Sequence, residues 1–554
     1  MVVWLAGTAC APAITTPARI AGGDAATDRP RPVLVQLLAI NDFHGYLEPP
    51  TGSYATIGAV PAGGVAHLAA TIATLRSRNP ANTLLVSAGD LIGASPLISG
   101  GFHDEPTINA MNRIGLALSA VGNHELDRGQ DELVRLQRGG CHPATGCIPG
   151  EEFTGARFTL LAANVHTRRG AGPLLFPAYH VHEFDGVPVA FIGITLEGAD
   201  QIVSPWAITD LAFADEVETI NRLVVEIEAQ GIEAIVVLLH EGGTTTGAYD
   251  SCDGIAGPVV DIARNISSAV DVVISGHTHQ AYRCLLDGKL VTSASSFGRM
   301  VTRIDLQLDP VSRDVASKDA HNVIVTQDAP DGELDDLVAH YRELTQARGS
   351  RVVGSVTATL PRRPGKNGLS ALGAVIADAQ RLATKADIAI TNTGGVRGDL
   401  VFAPSGDADP PGRVRYADLF AVQPFGDPLV VVTLTGEQLR AALEQQVRFD
   451  ENTHEDVVDI LQVSAGFSYD IDVAAPRTRR ARVSSMALNG RPIDAAARYR
   501  VAMSAFLAAG GDGYSGFREG TSAATSLNEM DAVVGYFEAH SPVAPPDLDR
   551  IHVR

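Results

Sequence analysis

Short, nearly uninterrupted apolar runs alternate along the chain with stretches in which apolar residues recur every three or four positions, the pattern of α/β layers. The runs Val33 to Ile40, Thr83 to Ser87, Ala117 to Val121, Ala234 to Leu239 and Asp271 to Ser275 are rich in β-branched residues and are predicted as strands. Between the first two, Val65, Leu68, Ala69, Ile72 and Leu75 share a helical face, and Asn79-Pro80 closes that helix. Another helix is predicted from about Ala214 to Gln230. Near Asp328 the composition turns polar, and Asp331 to about Ala347 reads as a mostly charged connecting helix. The α/β alternation resumes at Val352, and Thr435-Gly-Glu-Gln438 is a capping box that opens a helix through Gln446. This divides the chain into a lead (1–31), an α/β unit (32–325), a linker helix (326–349) and a second α/β unit (350–554).

A length of 554 residues exceeds what one hydrophobic core usually supports, in keeping with two units. Hydrophobic residues at 45% and charged residues at 19% exclude a disordered chain. The lead is apolar, then small, with Ala-x-Ala patterns from Ala9 to Ala13 that suit an export signal, although no basic residues precede them. Cys10 is a candidate for lipid modification. Cys141 with Cys147 and Cys252 with Cys284 form two sequence-local couples, which fits disulfides in an oxidising compartment. No apolar run reaches the roughly 20 residues of a membrane span. A secreted, periplasmic or envelope-associated protein without a transmembrane anchor is expected. The formal charge of −21 repels nucleic acid polymers, so any phosphate-bearing ligand needs a local positive device.

Such a device is encoded where the apolar runs end. Each N-terminal run empties into a polar cluster: Asn41-Asp42-Phe43-His44-Gly45, Gly89-Asp90, Gly122-Asn123-His124-Glu125, His240-Glu241-Gly242-Gly243 and Gly276-His277-Thr278-His279. Ligands of open α/β sheets bind beyond the carboxyl ends of strands, so the five clusters are expected to converge. Asp42, Asp90, His44, His240, His277, His279 and Asn123, with no thiolate, suit Mn, Zn, Fe or Co rather than a closed structural zinc site. Seven donors exceed the needs of one tetrahedral ion. A carboxylate bridging two ions allows displacement at phosphorus, and the ions' charge dominates the site whatever the net charge.

In this order the five clusters resemble the calcineurin-like metallophosphoesterase motifs. Asn392-Thr-Gly-Gly-Val-Arg397, Gln423-Pro-Phe-Gly-Asp427 and Phe506-Leu-Ala-Ala-Gly-Gly-Asp-Gly-Tyr514 are similar to the C-terminal domain of the 5′-nucleotidase family. The resemblance spans about residues 33 to 540. It implies an α/β fold: an N-terminal four-layer α/β/β/α sandwich and a C-terminal α/β substrate-binding domain. It further implies that Asp42, His44 and His279 hold one divalent metal, that Asn123, His240 and His277 hold a second, and that Asp90 bridges them. His124 is implied as the catalytic histidine, oriented by Asp127. Phe425 and Phe506 would sandwich a nucleobase, Asp512 would bind ribose hydroxyls, and Asn392 and Arg397 would clamp base and phosphate. One departure stands out: Asn367 and Gly368 occupy positions where the family usually carries phosphate-gripping arginines, leaving Arg363 or Lys366 to reach across.

The expected activity is hydrolysis of nucleoside 5′-phosphates, with UDP-sugars as further substrates. Three alternatives share the fold: a 2′,3′-cyclic-nucleotide 2′-phosphodiesterase with 3′-nucleotidase activity, a thiosulfohydrolase, and a non-catalytic surface-binding protein. The aromatic pair favours a planar base, and the complete metal set favours catalysis. Preferred nucleotide, native metal and oligomeric state are open at this point.

Overall fold

The computed structural model of the chain describes Met1 and residues 30–148, 151–167, 172–404, 410–450, 455–475 and 482–554. The expected export signal and Cys10 lie outside the described residues.

The first half is built on two six-stranded sheets. One has the order Val315–Ile324, Met300–Leu308, Val33–Ile40, Thr83–Ser87, Leu116–Ala120, Thr159–Leu161. The other runs Ala281–Leu286, Lys289–Ala294, Val272–Ser275, Ala234–His240, Val187–Thr195, Tyr179–Phe184. The sheets face each other across a core in which Val35, Leu37 and Ala39 meet Val189, Phe191, Val236 and Leu238. The alternate residues of the same strands point outward into helix-covered cores. Leu38 and Ile40 pack with the helix Val65–Arg76, and Ile235, Val237 and Leu239 pack with Glu216–Glu228 and Pro258–Asn265. With both faces buried, a strand gains from apolar residues at every position, each contributing about 1.5–3 kcal/mol, which is why these strands read as unbroken apolar runs. The result is an α/β/β/α sandwich.

The predicted elements lie within a few residues of their observed positions. Ala117 to Val121 begins one residue earlier, at Leu116. The helix predicted over 214–230 spans Glu216–Glu228 and is capped by Asp215, whose carboxylate accepts the Glu218 N–H at 2.6 Å. Val187–Thr195 is not among the predicted runs, although all nine of its residues are buried. Pro188 and Gly193 break its pattern; a side chain at 193 would collide with Leu161 of the facing sheet, so only glycine fits between the layers.

The connecting helix Gly332–Gly349 is charged on its solvent face, but Leu334, Leu337, Val338 and Tyr341 are buried in the N-terminal helical core. Tyr341 also donates to Glu151 at 3.0 Å. The helix is therefore anchored to the first half, and Gly349 at its end meets Ala417 of the second. There a five-stranded mixed sheet has the order Gln462–Val463, Ile388–Thr391, Arg498–Ser504, Pro428–Thr435, Thr521–Asn528. Thr435 and Gln438 form the expected capping box of Gly436–Glu444. Leu97, from the first half, packs in the core with Ala371, Leu372, Leu419 and Phe537, which joins the two halves through apolar contact. Both disulfides, Cys141–Cys147 and Cys252–Cys284, are formed.

Candidate metal centre and active site

In the first half, parallel strands of both sheets end at the same rim, and the five polar clusters leave from there. The rim is locked across the layers: Thr195 Oγ1 donates to the Val121 carbonyl at 2.7 Å, and His240 Nδ1 lies 2.8 Å from the Ala88 carbonyl. Asp42, His44, Asp90, His277 and His279 all have positive φ, between 49° and 68°. Side-chain-bearing residues seldom adopt this conformation, and its cost marks these turns as shaped for their side chains' direction. Gly122 is required for a related reason: a Cβ there would come within 2.2 Å of Asp90 Oδ1.

All seven candidate ligands come together. Asp42, His44 and His279 form one group of converging donor atoms, and Asp90, His240 and His277 form another. Asn123 joins the second: its Oδ1 is 3.0 Å from His240 Nε2 and 3.1 Å from His277 Nδ1. Asp90 Oδ2 stands between the groups, 3.2 Å from His240 Nε2 and 3.6 Å from His44 Nε2.

The hydrogen-bond inventory shows that these atoms fit a cation. Carbonyl oxygens only accept, so the Gly93 carbonyl, 2.9 Å from His44 Nδ1, fixes the proton there and leaves Nε2 bare. That bare nitrogen faces His279 Nε2 at 3.0 Å. Likewise the Ala88 carbonyl claims the Nδ1 proton of His240, whose Nε2 then faces only oxygen acceptors. Lone pairs crowd around a point with nothing to accept. The ionisation states agree. Burial holds His44 and His279 well below the ordinary imidazole range and takes His277 down to about 3, so these rings are neutral ligands. Burial also disfavours charge on His240, but Asp90 overrides it and raises the group to about 10, so the pocket demands positive charge. Burial together with Asp90 pushes Asp42 up to about 7 and Glu125 up to about 8.

Glu125 and Asn41 were not assigned roles from sequence, yet they build the loops. The Glu125 carboxylate accepts the backbone N–H groups of Asp90, Leu91 and Gly122 at 2.7–2.8 Å. Asn41 Nδ2 donates to Asp42 Oδ2 and the Ser295 carbonyl, each at 2.6 Å. Phe297, at 5.8 Å from the His44 ring and 5.2 Å from that of His279, supports both imidazoles from behind. The buried Arg299, 5.5 Å above Phe297, donates to Ser295 and Ser296. Nothing in the strand pattern separates these supporting residues from ordinary loop positions.

His124 sits at the edge of the centre. Its backbone N–H donates to Asp90 Oδ1 at 2.9 Å, and its Nδ1 is 2.8 Å from Asp127 Oδ2. Burial opposes its charge, yet Asp127 and Asp90 raise its pKa. Phe425 lies parallel to its ring at 5.8 Å, and Arg397 covers Phe425 at 5.8 Å.

The C-terminal residues reach this point through sheet register. Ile388–Thr391 runs parallel to Arg498–Ser504, and Leu429 pairs with Ser504, so the loops carrying Asn392, Phe425 and Phe506 leave from one end of the sheet. Asn392, Arg397, Phe425, Phe506 and Asp512 line a single cavity of about 360 Å³ with Asn123, His124, Asp127 and His277. Asn392 Nδ2 donates to Asp512 Oδ2 at 2.6 Å, and burial pushes Asp512 up to about 6. Asn367, which stands where the resemblance implies an arginine, donates to the Leu548 carbonyl at 2.6 Å. Arg363 and Lys366 are exposed. Arg362 instead is the cation turned inward, 5.5 Å from the Tyr54 ring, its pKa lowered by burial and by neighbouring Arg397.

Two carboxyls of the cavity wall, Asp427 and Glu529, were also missed as candidates. Burial, reinforced by Asp127, lifts Asp427 to about 6; burial and Asp427 lift Glu529 well above its ordinary value. A group whose folded pKa exceeds its unfolded one contributes fully below the unfolded value, and that contribution is lost as pH rises through the folded value. Glu529→Gln is therefore expected to raise the Tm, with a larger gain at pH 8 than at pH 5, as thermal unfolding at the two pH values would show.

Among the described residues, two other donor clusters lie apart from this centre. His103 and His142 stack 3.6 Å apart and 3° from parallel, so their in-plane lone pairs run side by side rather than converging, and Glu132 is engaged by Arg135. Asp215 caps a helix, and Glu216 accepts the Glu197 N–H at 2.6 Å.

Comparison with known proteins agrees with this geometry. Residues 35–281 match the model of the calcineurin-like phosphoesterases, and residues 352–519 that of the 5′-nucleotidase C-terminal domain. The chain is 32% identical over 422 residues to endonuclease YhcR of Bacillus subtilis, which covers 75% of this chain but only 33% of that protein, so the chain spans a third of that relative's length. It is 31% identical over 540 residues to cell wall protein Lmo0130 of Listeria monocytogenes, covering 91% of this chain and 67% of that one. The crystal structure of a 5′-nucleotidase precursor from Thermus thermophilus superposes with a TM-score of 0.77 at 27% identity, over 94% of this chain and 99% of that one. Calcineurin-like phosphoesterases use divalent metals, and the donor set described above suits such ions. With a calcineurin-like phosphoesterase half carrying that donor set and a second half matching the nucleotidase C-terminal domain, this chain belongs to the 5′-nucleotidase family of metallophosphoesterases.

Proposed function

We propose that the protein is a secreted dinuclear-metal 5′-nucleotidase that hydrolyses nucleoside 5′-phosphates, and UDP-sugars as well, to release the nucleoside or nucleotide end. The observation that carries this is Asp90, shared by two groups of converging donors, beside a histidine that lines a cavity with Phe425 and Phe506. Asp42, His44 and His279 would hold one ion, and Asn123, His240 and His277 the other. When bound, such ions supply Lewis acidity at phosphorus and make water nucleophilic at neutral pH.

The chain's own residues supply the remaining work. Asp127 holds the proton on His124 Nδ1, leaving Nε2–H to donate to the leaving oxygen as the P–O bond breaks. Phe425, stacked on His124, fixes the plane of that ring. Arg397, with Arg362 nearby, offers guanidinium donors suited to phosphate oxygens. Phe425 and Phe506 take the base, and Asp512, oriented by Asn392, takes the ribose hydroxyls. In this reading residues 32–325 carry the metals, 350–554 carry the nucleoside, and the anchored helix 332–349 joins them. Two disulfides among the described residues and a cell wall protein among the relatives support an extracytoplasmic site of action. No helix among the described residues is long and apolar enough to cross a membrane.

Asn367, tied to backbone where arginine is usual, favours a second reading, a 2′,3′-cyclic-nucleotide phosphodiesterase with 3′-nucleotidase activity. One assay separates the readings: phosphate release from AMP, UDP-glucose, 3′-AMP and 2′,3′-cyclic AMP after chelation and after restoring Mn, Zn or Co. Chelation is expected to abolish turnover of AMP and the added ion to restore it. Preference for the cyclic substrate and 3′-AMP would support the second reading, and no metal-dependent release from any nucleotide would overturn both.

A further inference from the structure

Part of the lining of the cavity that holds the aromatic pair comes from the other half of the chain. The helix Ala199–Ile202 packs against the turn Gly511–Gly513, which carries Asp512. From there the chain continues through Ser204 to Trp206, and Ile202, Ser204 and Trp206 line the same cavity as Phe425 and Phe506. Trp206 is 61% exposed. Among the described residues it is the one large exposed apolar side chain that lines this cavity. The segment beneath it is held: Ala207 N–H donates to the Ser204 carbonyl at 2.9 Å, and the Trp206 carbonyl accepts from Thr209 Oγ1 at 3.1 Å. A large apolar ring on a held backbone, largely open to solvent and lining a cavity, offers a flat surface to a ligand. Planar, π-bearing ligands are what such a surface recognises.

We propose that Trp206 is a nucleoside-recognition residue: the metal-bearing half supplies a third aromatic surface, which the edge of a base held between Phe425 and Phe506 meets. This rests on the nucleotidase reading above and extends it. A base held on Trp206 as well as on the C-terminal aromatics touches both halves at once, so a ligand that carries a base bridges them and one without it does not. An edge-to-face contact with an aromatic ring makes no hydrogen bond that reads the base, so the residue favours nucleotides as a class rather than one nucleotide.

The composition makes a direct test practical. The chain has two tryptophans, Trp4 and Trp206, so Trp4→Phe leaves Trp206 as the sole indole fluorophore. In that variant adenosine and uridine are expected to quench the emission saturably, whereas ribose 5-phosphate and inorganic phosphate leave it unquenched. In steady-state assays, Trp206→Ala is expected to raise KM for AMP about 10-fold relative to its effect on the Ki of ribose 5-phosphate, which lacks the base, and Trp206→Phe to recover most of that loss. Absence of saturable quenching by either nucleoside, or equal shifts for AMP and ribose 5-phosphate, would overturn the assignment. The two readings fail separately: a wild-type protein that hydrolyses no nucleotide removes the nucleotidase reading, while nucleoside quenching of Trp206 is read without turnover.

Discussion

Asp90→Asn is expected to lower kcat/KM for AMP by about 10³-fold or more and to reduce bound divalent metal by at least one equivalent per chain. The substitution keeps shape and removes charge. Asp90 Oδ2 lies 3.2 Å from His240 Nε2 and 3.6 Å from His44 Nε2, so one oxygen serves both donor groups, while Oδ1 accepts the His124 N–H. An amide presents at most one weaker oxygen to that junction and carries no charge to balance a bound cation. Metal analysis of the purified variant beside its kinetics gives the check. Full metal content with activity within 10-fold of wild type would show that Asp90 does not join the two groups.

His124→Gln is expected to cost about 10²–10⁴-fold in kcat toward AMP with metal content unchanged. The size of the loss should depend on the leaving group. A ribose 5′-oxygen leaves poorly without a proton, whereas p-nitrophenolate needs none, so p-nitrophenyl phosphate should lose far less. Asp127→Asn, which removes only the partner at Nδ1, should fall between the wild type and His124→Gln. Equal losses on both phosphate esters would mean that His124 stabilises charge on the phosphoryl group and does not protonate the leaving oxygen. A drop in metal content would place it among the ligands, a possibility the structure raises because His124, His44 and Asp90 also converge.

Much of the first half was legible in the chain. Strands buried on both faces, such as Val33–Ile40 and Ala234–His240, announce themselves as apolar runs, and the donors stand immediately after them because the rim of a parallel sheet is where loops meet. Capping residues do the same for helices: the Thr435 box has one favourable geometry and formed as expected. Less legible were elements whose reason is a neighbour far away in sequence. Val187–Thr195 is punctuated by a proline and by a glycine that exists for Leu161. The connecting helix looks like a charged spacer until Leu334, Leu337, Val338 and Tyr341 are seen to share one buried face.

The substrate end divides along the same line. Motifs named Phe425, Phe506, Asp512, Asn392 and Arg397, but not that Phe425 rests on His124, that Arg362 rather than Arg363 or Lys366 turns inward, or that Trp206 lines the cavity from the other half. Identity of the donors and the strands they follow are read from sequence alone, because strand burial leaves its mark in the local run of apolar residues. Which atoms face each other, which imidazoles are stripped of protons and which carboxyls are forced upward depend on charges tens to hundreds of residues apart in sequence brought within 4 Å. Only the packing of the two sheets and the two halves sets those distances, and it is there that a list of histidines and aspartates becomes a site for cations.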